Sequence, residues 1–329
     1  MGVAPPPEVP RSLTDVCEVE VAAARGARGG APPEVLIEVP HGATRRRHFA
    51  AARRRLAGEL PADLEEFFFV NTDVGSIECA RWVARMATGP ERFPELEGLP
   101  GAPGGRALER VLILRGLVPR TFIDCNRVIA GGPRSAPAAG LTPGLPAYIR
   151  REEDVRTLRG MYGDYQAAAE QAYAAVCGGG GRAVILHTYA PRSVRIEAVD
   201  EGIVAALRRA YEPATYETWE RRPAVDLITE TADGRRLAPE ALAREIRERY
   251  GRIGVEAAEN ATYRLDEATL GHVHSARYPG RVLCLEINRE LLADPFLPFV
   301  EMSISEVKAR RMAAPIAAAL LSVGRDLAS

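Results

Sequence analysis

Apolar runs bounded by proline, glycine or a polar residue recur along the chain, with helical stripes between them. Cys17 to Ala22 reads as one short strand inside residues 1–30, a Pro-, Gly-, Ala- and Arg-rich stretch that otherwise reads as a loose arm. Glu34 to Val39 lies between Pro32-Pro33 and Pro40 and predicts a strand punctuated at both ends. Residues 47–58 predict a helix with arginines and His48 on its exposed face. Phe67 to Val70 reads as a second short strand, and 76–87 as a helix carrying Ile77, Ala80, Val83 and Ala84. Val111 to Leu114 and Thr121 to Asp124 are strand-like. Residues 89–106 and 130–147 are Gly/Pro-rich loops, the second long enough for a lid or an insertion. Residues 152–176 carry Val155, Leu158, Tyr162, Tyr165, Ala169 and Val176 on one helical face, stopped by Gly178 to Gly181. Ala183 to Leu186, Val225 to Thr229 and Val282 to Ile287 predict further strands. A turn at Asp233-Gly234 leads to a helix over 239–250 with Leu242, Ile246 and Tyr250 inward. The last helix is expected to start at Ser303, with Glu306 three residues on as in a capping box, and to kink at Pro315.

Continuous apolar strands alternating with helices imply an α/β fold of three layers (αβα), with a mixed, mostly parallel sheet covered on both faces. No repeat and no linker divides the sequence. Residues 31–329 therefore read as a single domain behind the arm at 1–30.

Composition narrows the functional classes. The 329 residues include 43 Lys+Arg and 44 Asp+Glu, a formal charge of -1. That balance argues against a nucleic-acid binder or a protein held on anionic membranes. No apolar run approaches the roughly 20 residues that span a bilayer. The first residues lack the apolar core of a secretory signal, so a cytoplasmic protein is expected. Five cysteines without a C-x-x-C pair argue against a disulfide framework or a thiolate zinc site; they are expected as small buried hydrophobes. Imidazole chemistry must draw on His41, His48, His187, His272 and His274.

Polar residues stand at the ends of five of the predicted strands. Pro40-His41-Gly42 follows 35–39, Asn71-Thr72-Asp73 follows 67–70, and Asn126-Arg127 follows 121–125. His187-Thr188 follows 183–186, and Glu286 closes 282–285. In α/β folds, ligands sit outside the carboxyl ends of the strands. Two imidazoles and a carboxylate make a frequent catalytic zinc set with one position open to water. A free carboxylate beside that water can act as general base, and an arginine can hold a substrate carboxylate bidentately.

The stretches P-H-G at 40–42, N-T-D at 71–73, R-T-F-I-D-C-N-R at 120–127, L-H-T at 186–188 and L-E-I-N-R at 285–289 resemble the N-formylglutamate amidohydrolase family. The resemblance runs over most of residues 34–320. It implies a fold similar to the zinc carboxypeptidases and aspartoacylase-like deacylases, with one Zn2+ ion. It also implies that His41, Asp73 and His187 are metal ligands, that Glu286 is the general base, and that Asn126 and Arg127 grip the substrate. Tyr189, Arg192 and Arg195 follow the second histidine closely and are candidate substrate contacts. The implied partner is a small N-acyl amino acid such as N-formylglutamate. The sequence departs from the family at Gly42-Ala43, where a small polar residue is common after P-H-x, and at Leu186, where an Asp commonly precedes the second histidine.

Other roles compete for several of these residues. Asp73 could cap the helix at 76–87, leaving Glu78 as the carboxylate ligand. Glu286 could pair with Arg289, and Arg127 with a neighbouring carboxylate. His187 could be a core histidine, and Asp124 could stand behind the metal ligands. His272 and His274, two apart, would share a strand face as a secondary metal or substrate contact, or lie in a solvated loop. Two histidines and a carboxylate also serve metals other than zinc. The competing activities are a carboxypeptidase-like or other deacylase, and a metal- or ligand-binding module without turnover.

Overall fold

Seven strands form one sheet in the order β1-β3-β2-β4-β7-β5-β6 in the computed structural model, which describes residues 8–100, 106–129 and 142–323. The strands are β1 (Cys17–Ala23), β2 (Val35–Val39), β3 (Arg110–Gly116), β4 (Arg182–Tyr189), β5 (Val225–Ile228), β6 (Ala257–Glu259) and β7 (Val282–Asn288). The central four, β3, β2, β4 and β7, are parallel. β1 runs antiparallel along β3, so the strand inside the N-terminal stretch is part of the sheet. β5 runs antiparallel to β7 and parallel to β6.

Both faces are covered, which explains the near-continuous apolar character of the central strands. Val35, Ile37 and Val39 of β2 face α3 (Ser76–Thr88) and α9 (Glu306–Val323), joined on that side by α7 (Glu240–Arg252). Leu36 faces the other way, towards α4 (Glu152–Val176) and α5 (Ile203–Ala210). Glu38 also points to the α4 side. Burial of a carboxylate in a central strand is costly, and the hydroxyls of Tyr165 and Tyr173 each donate to one of its oxygens, at 2.8 and 2.6 Å. The remaining helices are α1 (Arg46–Arg53), α2 (Leu64–Asn71), α6 (Pro213–Tyr216) and α8 (Leu270–Arg277). All five cysteines are buried thiols. No helix among the described residues is long and apolar enough to cross a membrane.

Several expectations are corrected. Phe67 to Val70 belongs to the helix α2 and not to a strand. A four-residue apolar run does not by itself distinguish the two. Here Glu65 and Glu66 lie in the first turn, where the helix dipole favours acids, and the phenylalanines bury in different directions, Phe67 in the α4-side core and Phe68 and Phe69 against Ala43. Thr121 to Cys125 is a turn, with the amides of Phe122 and Ile123 both donating to the Pro119 carbonyl. β3 already has β1 on one side and β2 on the other, so this segment cannot pair beside the strand that precedes it. His187 lies inside β4, not after it. His272 and His274 lie on the helix α8, so a spacing of two does not put them on one face; His274 is buried and stacked on Tyr173 at 3.9 Å. His48 is buried rather than exposed, and its Nδ1 accepts a hydrogen bond from the Arg45 amide. α9 begins at Glu306, where Ser305 Oγ accepts from the Lys308 amide, so the cap is Ser305 and not Ser303. Residues 130–141, most of the expected lid or insertion, lie outside the described residues.

Candidate metal centre

The carboxyl ends of the parallel strands bring the first candidates together. β2 ends at Val39, and Pro40 turns the chain so that His41 enters the site. Gly116 at the end of β3 makes that turn fit, because a Cβ there would run into the Pro40 carbonyl oxygen. β4 supplies His187 and β7 supplies Glu286; the two are direct neighbours in the ladder. Alternation along β4 puts Val184 and Leu186 on the α3 side and His187 on the other. Asp73 arrives differently, from the connection between α2 and α3. Gly75 allows that connection to turn, with φ of 87° and Leu292 packed where a Cβ would go.

His41, Asp73 and His187 are each buried, and one potential ligand atom from each lies within 4.8 Å of the others. Asp73 Oδ2 is 3.3 Å from His41 Nδ1 and 2.8 Å from His187 Nδ1. The opposite nitrogen of His41, Nε2, is 2.7 Å from Asp124 Oδ1. That carboxylate favours a proton on Nε2 and leaves the Nδ1 lone pair turned towards Asp73, the outer-sphere arrangement found behind metal-bound histidines. His187 Nε2 lies 3.3 Å from Asn126 Nδ2. This donor set of two imidazoles and a carboxylate fits a divalent cation such as zinc. Glu78 is not part of it; that residue pairs with Arg45 at 2.9 Å, partly in solvent.

Three carboxylates in so small a volume need cations. Burial alone would raise the Asp73 pKa, but the two imidazoles hold it below the usual carboxylate range. Asp124 is likewise held low against its burial, by Arg127, His41 and Arg120. Arg120 bonds Asp124 Oδ2 at 3.1 Å and approaches Asp73 Oδ1 at 3.8 Å. Burial and Arg120 act to lower the His41 pKa, but Asp124 and Asp73 leave it raised on balance. Glu286 behaves in the opposite way to the two aspartates. Burial, reinforced by Asp73, pushes its carboxyl up to about 7 against the pull of His187, Arg222 and Arg289. Part of this residue faces the cavity, yet its Oε2 is closed off from solvent and has no hydrogen-bond partner. The expected alternative partner, Arg289, instead reaches Asp73 Oδ1 at 3.5 Å and the Thr188 carbonyl at 3.0 Å.

The substrate candidates divide. Asn126 and Arg127 come from a turn and not from a strand end. The Asn126 side chain bridges His187 and the Gly271 amide. Arg127 is buried and occupied, donating to the carbonyls of Thr142 at 3.1 Å and Asn126 at 3.3 Å and lying 3.8 Å from Asp124. Both line a small cavity of about 140 Å³ that also meets His41, His187 and Glu286. Tyr189, Arg192 and Arg195 line a much larger cavity of about 1220 Å³, which shares Glu286 and Arg120 with the small one. In it Arg192 is paired with Glu217, and Arg195 is exposed. Two arginines had no assigned role in the sequence. Arg120 opens the R-T-F-I-D-C-N-R stretch, whose Asn126 and Arg127 carry the clearer substrate-binding pattern. Arg222 had no signal, because it precedes a strand whose direction was unknown.

The fold is an αβα three-layer sandwich around a mixed sheet, and two solved structures share it over nearly the whole chain. One is N-formylglutamate amidohydrolase from Ralstonia eutropha JMP134, 15% identical, covering 94% of this chain and 98% of that one with a TM-score of 0.55. The other is a gene product of Agrobacterium tumefaciens, 14% identical, covering 95% and 96% with a TM-score of 0.51. Searches of family models and of curated proteins found no match to this sequence.

Proposed function

We propose that this protein is a metal-dependent amidohydrolase that cleaves the amide of a small N-acyl amino acid, with zinc as the metal and N-formylglutamate as the first substrate to try. The observation that carries the reading is the joint placement of His41, Asp73 and His187 beside a carboxylate, Glu286, that has a buried oxygen without a partner. The shared fold with N-formylglutamate amidohydrolase supports it. A cation held by the triad would polarise the scissile carbonyl and acidify a water. Asp124 orients His41, and Arg120 and Arg127 hold Asp124 ionised. Glu286, adjacent to His187 in the sheet, accepts the water proton and returns it to the leaving amine. A carboxyl poised near neutrality suits both halves of that transfer.

A broader substrate is the second reading. The larger cavity, about 1220 Å³, exceeds the roughly 300–1000 Å³ of ordinary small-molecule pockets. A deacylase acting on longer N-acyl compounds or short peptides would use that space. The test is metal content after zinc repletion, together with hydrolysis of N-formyl, N-acetyl and N-succinyl amino acids and dipeptides. Stoichiometric zinc lost in His41→Ala and His187→Ala supports the centre; full metal in both variants ends the ligand assignment. Zinc binding with no turnover across the panel would favour a binding module instead.

A further inference from the structure

We infer that Arg222, clamped between Tyr189 and Tyr263 in the wall of the larger cavity, is the docking point for a carboxylate carried by the substrate. The inference rests on the proposed hydrolase reading and deepens it, since it names the residue that would hold the substrate's carboxylate at the same site.

Arg222 stands just ahead of β5, separated from it by Pro223 and Ala224. Because β5 runs antiparallel to β7, its first residues lie beside the carboxyl end of β7, where Glu286 is. Arg222 and Glu286 line the same cavity. The guanidinium carbon lies 5.1 Å from the Tyr189 ring centre and 5.5 Å from that of Tyr263, within the range of cation–π attraction. Its Nη2 donates to the Tyr263 hydroxyl at 3.0 Å and its Nε to Ser193 Oγ at 3.2 Å. The clamp is itself fixed. The Tyr189 hydroxyl donates to the Pro223 carbonyl at 2.8 Å. Asp226, buried opposite Glu286 in the β5–β7 ladder, accepts from the amides of Ala261 and Thr262 at 3.1 and 2.6 Å, and so anchors the segment that carries Tyr263.

What distinguishes Arg222 is that its held partners are all neutral. Arg120 and Arg289 of the same cavity pair with Asp73, and Arg192 pairs with Glu217. Arg127 is occupied by carbonyls and Asp124. Among the described residues no carboxylate makes an ion pair with Arg222. Arg159 and Arg195 also lack one, but no ring or hydrogen bond among the described residues orients either. A guanidinium fixed in place, partly desolvated and in ion-pair contact with no carboxylate among the described residues is suited to the planar, bidentate grip of a carboxylate. Its immobility lowers the entropic cost of that grip.

Binding of glutarate, a five-carbon dicarboxylate, and of its uncharged diamide, glutaramide, tests this in the metal-free protein by isothermal titration calorimetry. Glutarate should bind, glutaramide at least tenfold more weakly, and Arg222→Met should weaken glutarate at least tenfold while Arg222→Lys restores part of the loss. In the wild type, glutarate should protect Arg222 from phenylglyoxal, read by peptide mass, a measurement that stands even if Arg222→Met does not fold. Equal binding of the diacid and diamide, unchanged affinity in a folded Arg222→Met, or no protection of Arg222 would overturn the inference. Inorganic phosphate displacing glutarate at lower concentration would also overturn it, by reassigning the anion. These readouts need neither metal nor turnover, so they fail separately from the hydrolase reading, which is tested by hydrolysis in the zinc-loaded protein.

Discussion

His187 and Glu286 stand directly opposite each other in the parallel ladder between β4 and β7, so an imidazole of the metal set and the carboxylate proposed as base are held by backbone hydrogen bonds and not by flexible loops. The pairing makes their separation a property of the sheet. Substitution of either side chain should therefore alter chemistry with little movement of the other.

Glu286→Gln is the direct case. The amide keeps the shape and cannot accept the water proton. Turnover should fall about 10²- to 10⁴-fold, the usual contribution of a positioned acid–base group. Bound zinc should remain stoichiometric by elemental analysis. Turnover within threefold of wild type would remove Glu286 from the reaction.

Asp124→Asn tests the support behind the proposed metal ligands. The 2.7 Å contact to His41 Nε2 would lose its charge, and His41 would lose the group that fixes its tautomer. Outer-sphere changes of this kind weaken metal binding roughly 10- to 100-fold. Competition with a chelating dye gives the zinc affinity. The fold should survive, but Arg120 and Arg127 would each lose a counter-charge, so some loss of thermal stability is expected as well.

His48 gives a pH dependence of stability separate from the site. Burial, then Arg115, Arg47 and Arg45, lower its pKa to about 3. The folded pKa lies below the unfolded value of about 6.5, so the unfolded chain binds the extra proton between the two. Stability from this residue is complete above about pH 6.5 and is lost as the pH falls towards 3. Protonation of Nδ1 also breaks its bond from the Arg45 amide. His48→Gln, whose side chain can accept from the same amide, should flatten the loss between pH 6.5 and 4 relative to wild type. Urea midpoints across that window measure it; parallel curves for the two proteins would refute the assignment.

Gly116→Ala links packing to the site. The added methyl would run into the Pro40 carbonyl oxygen, and Pro40 immediately precedes His41. Overpacking of this kind costs about 1–3 kcal/mol. A lower melting temperature should come with weaker zinc binding, because the displaced segment carries His41, a proposed ligand. A variant as stable as wild type with unchanged zinc affinity would show that the turn has room to shift.

Much of the framework was legible in local pattern. The helix at 152–176 and the strands of residues 35–39, 183–186 and 282–287 have enough length or apolar density for period and burial to agree. His41, His187 and Glu286 could be read as candidates because each interrupts or ends such a run. Asp73 stands out by motif, and the structure places it beside His41 and His187, although the element before it is a helix and not the expected strand; Phe67 to Val70 satisfies a strand and a helix equally well over four residues.

The order of side chains along the chain thus determined the parallel core, its two covered faces and the two imidazoles and the glutamate at its edge, because those follow from periods of two and 3.6 and from polar breaks in apolar runs. Only the tertiary structure decided that residues 121–125 stay outside the sheet, that Arg127 is spent on Asp124 and backbone carbonyls, and that Arg222 sits near Glu286. Each of these depends on which strand edges are already taken and which way β5 runs. Strand direction and neighbour are set by long-range pairing, which local sequence does not encode.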